Sequence, residues 1–152
     1  MKRFILVVTL FFSHFVFAGN NAPVSPDELS SLFKQAHEAR NFDSISALIN
    51  WEGVRKPMRK KIEVYTMGTF GMPIGEISIQ EVGEGEFSDF EFGKKDFKPN
   101  LPVSHIMKIK FDVDNADAAS TEKDTAVYLL GENNGHYMIT VYVKEGGSPH
   151  GH

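Results

Sequence analysis

Between residues 103 and 113, Val103, His105, Met107, Ile109, Phe111 and Val113 alternate with Ser104, Ile106, Lys108, Lys110 and Asp112. A period of two marks a strand with one packed face and one wet face. Helical spacing fits worse, because it would align Lys110 with Val103, Ile106 and Met107. Pro102, which has no N–H to donate, suits a strand start. His105 is the one residue out of character on the packed face. Residues 76–82 alternate in the same way, with Ile77 and Ile79 on one face. Gly83-Glu84-Gly85 then turns the chain into a further strand over 86–92 (EFSDFEF), acidic and aromatic, followed by a polar connection over 94–102. Near the C-terminus Asn134-Gly135 is the favoured pair for a two-residue hairpin, since both positions take positive φ. Counting outward sets Leu130 opposite Ile139, Tyr128 opposite Val141 and Ala126 opposite Val143, one apolar face in register with the turn. The other face carries Val127, Leu129, Met138 and Tyr142 and is less polar than a solvated face.

The earlier half of the chain has helical spacing. Ser25-Pro26-Asp27-Glu28 combines a cap, a proline for the first turn and the acid of a capping box. The helix it starts runs to about Arg40, with Leu29, Leu32, Phe33, Ala36 and Arg40 on one stripe. Asn41 ends it. Asp43 caps a short second helix holding Ile45, Leu48 and Ile49, with Phe42 stapled onto Ala47. Trp51 to Val54 is a turn, and Trp51 reads first as a core anchor. Pro57 opens a third helix with Met58, Ile62 and Tyr65 inward, and Gly68, Gly71, Pro73 and Gly75 break it into a loop rich in Met and Phe. Residues 112–124 read as a loop and 146–152 as a flexible tail.

Three helices followed by about five antiparallel strands make an α+β fold: three N-terminal helices packed on a curved antiparallel sheet. The element order resembles the NTF2-like (SnoaL-like) cone superfamily. The resemblance rests on the long capped helix, on Asn41-Phe42-Asp43 leading a short helix with Leu48-Ile49, and on Gly131-Glu132-Asn133-Asn134-Gly135 before Tyr137-Met138-Ile139. It implies a pocket-bearing domain, in a superfamily that hosts isomerases, dehydratases and many non-catalytic members. The family usually sets a strand between its second and third helices, and residues 51–56 leave little room for one. A cystatin-like arrangement is the neighbouring alternative.

Composition narrows the function. The 152 residues, 41% of them apolar, suit one domain over 25–145 after a short leader at 19–24. Lys2 and Arg3 precede an apolar run over 4–17 that ends in Val16-Phe17-Ala18, a signal peptide with cleavage expected after Ala18. The run is short of the ~20 residues a membrane span needs, so the mature chain is expected in a periplasm or outside the cell, without stable membrane insertion. A net charge of −4, more negative once the leader is removed, argues against nucleic acid as a partner. The absence of cysteine excludes disulfides, thiolate catalysis and Cys-ligated metal.

Candidate chemistry is sparse. His105 on the packed face suits a general acid or base in a cone pocket, against the plainer role of a core histidine satisfied by a neighbour. Asp89 and Glu91 are possible carboxylate partners, though Phe90 and Phe92 alternate with them. Arg55, Lys56, Arg59, Lys60 and Lys61 suit a phosphate, a lipid headgroup or an acidic partner, or simply keep a helix wet. Trp51, Met67, Phe70 and Met72 are candidates to line or lid an apolar pocket. No cofactor is implied and no metal site is expected: His37-Glu38 lacks a second histidine, and His150 with His152 offers two ligands on a tail. The leading expectation is a non-catalytic exported domain that binds a small molecule or a protein. The alternatives are a cone-pocket enzyme (isomerase, dehydratase or hydrolase) working through His105, and binding to anionic surfaces through residues 55–61. The apolar second face of the hairpin adds a homodimer as an expectation.

Overall fold

The computed structural model describes residues 22–83, 97–112 and 124–144. The expected signal segment, the 86–92 strand, most of the 112–124 loop and the C-terminal tail lie outside these residues. Within them the chain is α+β, with three helices first and antiparallel strands after.

Helix α1, Pro26–Glu38, begins as its sequence dictates: Ser25 Oγ accepts the Glu28 N–H at 3.1 Å. The Glu28 carboxylate reaches back one residue further than a capping box requires and accepts from Val24 N–H. The helix ends at Ala39, and Arg40 takes a left-handed φ of 52°, which removes it from the stripe. Leu29, Phe33 and Ala36 are buried as expected, and His37 joins them. Helix α2, Phe42–Ser46, is capped by Asn41, whose side chain accepts the Ser44 N–H, and not by Asp43. Phe42 is therefore the first helical residue, and the expected staple onto Ala47 does not form. Helix α3, Lys56–Gly68, has Pro57 in its first turn.

Strands β1 (Ile74–Glu81), β3 (Val103–Phe111), β4 (Thr125–Asn133) and β5 (His136–Thr140) form one antiparallel sheet in the order β1-β3-β4-β5. β3 lies in its interior. Met107 sits between Ile79 and Tyr128, and Ile109 between Ile77 and Ala126. Met107, Ile109 and Phe111 are buried while Lys108 and Lys110 face water, as the alternation requires. Leu29, Phe33, Ala36, Ile45, Leu48 and Ile49 pack with these strand residues in one core. Burying a side chain of this size contributes roughly 1.5–3 kcal/mol, so the layer contact between α1, α2 and the sheet dominates stability.

Among the described residues this sheet has four strands, and the expected strand over 86–92 lies outside them. Two short strands, β2 (Phe97–Pro99) and β6 (Tyr142–Lys144), pair as a separate ribbon. β2 falls in what reads as a polar connection. The C-terminal hairpin explains the division. Asn134 and Gly135 take φ of 53° and 80°, and Leu130 faces Ile139 as predicted. The pairing then stops at Leu129 with Thr140. The expected pairs Tyr128–Val141 and Ala126–Val143 do not form, because the chain leaves β4 at Val141 and joins β2. Asn100 holds the departure: its side-chain oxygen accepts the Val141 N–H at 2.9 Å, and its own N–H donates to the Val141 carbonyl. On the outer edge of β5, Ile49 makes a single parallel bridge to Ile139.

Candidate functional site

Where β5 turns away from β4, a wedge opens, and α3 closes its far side. Helix α3 is tied at both ends. At its start Arg59 donates from Nε to the Val54 carbonyl (3.1 Å) and from Nη2 to the Trp51 carbonyl (3.0 Å), with its guanidinium 5.4 Å from the centre of the Trp51 ring. At its end Thr66 is buried, and the C-cap residue Thr69 meets the ring of His37 on α1. Between the ties no apolar residue of α3 is buried. Met58, Ile62 and Tyr65 do point inward as their spacing predicts and line a cleft; Ile62 also packs against the core, whereas Met58 and Tyr65 stay exposed.

The cleft has a volume of about 580 Å³. Val127, Leu129 and Val141 form the opposite wall, with Tyr142 and Phe97 at one end. Its lining is almost wholly apolar, and Lys61 is its one charged residue among those described. Tyr65 is 61% exposed and Val127 56%, so the walls are wet in the absence of a ligand. Tyr128 contributes a hydroxyl shielded from solvent beside the Thr66 side chain. Burial pushes the Tyr128 hydroxyl well above its ordinary pKa, so it stays a neutral donor.

The residues singled out from sequence scatter around this cleft. Lys61 lies on its wall. Arg55 is the residue before α3, and together with Lys61 and Lys144 it lines a smaller groove of about 150 Å³. Lys56 is exposed, and Lys60 pairs with Glu63 at 3.0 Å. Arg59 is committed to Trp51 and Val54, so the basic run does not act as one face. Trp51 donates its indole N–H to the Ser46 carbonyl at 2.9 Å and lies outside the clefts described here. Phe70 and Met72 pack against the core and, with His37, line a separate shallow cavity of about 260 Å³; Met67 is exposed. Of the hairpin residues expected to form a dimer face, Val127, Leu129 and Tyr142 line the cleft and Met138 does not.

His105 lies partly buried on β3. Its Nδ1 lies 3.0 Å from Ser104 Oγ and its ring meets Tyr137 edge-on at 5.6 Å. Among the described residues no carboxylate bonds it, and it lines none of the clefts described. Asp89 and Glu91 lie outside the described residues.

Among the described residues the buried imidazole is that of His37. It is 2% exposed and ringed by Phe33, Phe70 and Phe111. Its Nε2 lies 3.0 Å from Thr69 Oγ1, whose own proton goes to Thr66, so Nε2 carries the hydrogen. Burial lowers its pKa. The signal for it was in the sequence: His37 stands four residues after Phe33 and eight after Leu29, on the same helical stripe. Nothing local signals Lys144, which reaches the groove only because β6 leaves the sheet.

Among the described residues no group of three or more His, Asp or Glu stands close enough to share a metal ion, and no helix is long and apolar enough to cross a membrane. No protein-family model matches the sequence, and no curated protein matches it.

Proposed function

We propose that this chain is an exported, non-catalytic binding domain whose cleft between α3 and β4 takes an apolar ligand. The observation that carries this reading is the cleft itself. Its size falls in the range of small-molecule sites, and its walls are apolar and aromatic with few polar groups. Exposed Val127, Met58 and Tyr65 would leave water on binding, and each apolar square ångström removed favours the complex. Kinship with the NTF2-like superfamily belongs to the same proposal, supported by the element order and by Ile49 bridging to β5 where that family sets a strand. Export rests on residues 1–18 alone. Intact mass of the secreted protein should place its first residue at Gly19; a chain beginning at Met1 in the exported fraction would sink that part.

The neutral fluorophore N-phenyl-1-naphthylamine tests the cleft. It should bind the full chain saturably, and Val127→Trp, which fills an exposed wall position, should abolish binding without lowering the melting temperature. Probe binding unchanged by Val127→Trp, or no saturable binding, overturns the reading.

A further inference from the structure

The apolar cleft continues into the smaller groove, and the two share Met58, Lys61, Phe97 and Tyr142. The charges change sharply along this path. The large part holds one cation. The small part is rimmed by Arg55, Lys61 and Lys144, and no described carboxylate lines either. Arg55 and Lys61 come from the start of α3 and its second turn, and Lys144 from the end of β6, far along the chain. Among the described residues none of them pairs with an acid, whereas Lys34 and Lys60 on the helices do. The start of α3 adds to the same sign. It has no acidic residue in its first turn and no side-chain cap, so its positive dipole end is uncompensated.

We infer that the composite groove is a site for a free single-chain anionic amphiphile, a fatty acid or a similar carboxylate, with its tail between α3 and β4 and its head among Arg55, Lys61 and Lys144. This rests on the apolar cleft binding a ligand at all, and adds the class of that ligand. An apolar trough ending in unpaired cations complements a long tail ending in one negative charge. A neutral apolar molecule would use the trough and leave the cations unused. A carboxylate gains charge-assisted hydrogen bonds there without first breaking an ion pair within the described protein.

Displacement of N-phenyl-1-naphthylamine from the full chain separates the two claims. Dodecanoate should displace the probe at a concentration about tenfold below that of dodecanol. The double variant Arg55→Glu/Lys144→Glu, both exposed and lining the smaller groove but not the large cleft, should lose most of that preference while probe and dodecanol still bind. Lys108→Glu/Lys110→Glu, away from the groove on β3, should keep it. Rising salt should narrow the gap between the two ligands. If the probe binds but dodecanol competes as well as dodecanoate, the head-group site is wrong and the cleft stands. If the probe does not bind, the cleft reading itself fails and this inference with it. Sedimentation with phosphatidylglycerol vesicles that depends on Arg55 and Lys144, without displacement by dodecanoate, would assign them to a membrane surface and overturn the inference.

Discussion

The side-chain amide of Asn100 has two donors and an oxygen with two lone pairs, and all four positions are used. It donates to the carbonyls of Asn50 (2.7 Å) and Glu52 (2.9 Å), and accepts from Val141 N–H and the Thr140 hydroxyl. It thereby joins the turn before α3 to the point where β5 leaves the sheet. Asn100→Ala orphans several of these groups at once and should cost about 2–4 kcal/mol in urea unfolding. An unchanged unfolding midpoint would mean water replaces the amide freely. His37 gives a prediction in pH. Its folded pKa lies below the usual 6.5 because burial disfavours the imidazolium. Below pH 6.5 the unfolded chain takes up a proton that the folded chain refuses, so stability falls as pH drops through that value, until the folded pKa is passed. In His37→Gln, which can still donate to Thr69, melting temperature should depend less on pH below 6.5. A parallel pH dependence in both proteins would remove His37 as the cause.

Elements show how short-range rules are met and then overridden. α1 starts at its cap, β3 keeps its phase and the Asn-Gly turn takes its left-handed angles, because each is settled by a few adjacent residues. The hairpin register holds from Asn133–His136 to Leu129–Thr140 and then yields. Continuing it would bury more apolar surface, but Val141 finds its backbone partners at Asn100 instead, 41 residues away. Gly131 shows the same crowding between elements. A Cβ there would stand 2.6 Å from the Pro102 carbonyl oxygen and 2.8 Å from Leu101 Cβ, where the chain enters β3. Gly131→Ala should therefore destabilise by about 1–3 kcal/mol in denaturant titration. An alanine variant of normal stability would show that the entry to β3 yields easily.

At the scale of the molecule, stability is uneven. The core joins α1 and α2 to the face of β1, β3, β4 and β5, while α3 lies over the cleft and meets that core chiefly through Ile62. Hydrogen exchange should find the amides of Met107 to Ile109 among the slowest and the middle of α3 opening at much lower free energy. A ligand in the cleft should slow exchange in α3 selectively. Uniform protection across both regions would contradict this picture.

The sequence by itself determined the α+β class, the starts of α1 and α3, the phase of β1 and β3 and the hairpin turn, since caps, periods and turn angles are properties of neighbouring residues. It also carried the inward stripe of α3 and the cations Arg55 and Lys61. Tertiary structure alone decided that Met58 and Tyr65 of the stripe stay exposed beside a cleft, that Arg59 serves Trp51, and that Lys144 joins Arg55 and Lys61. Those outcomes turn on competition for backbone groups between residues far apart in the chain, and no local periodicity records which partner wins.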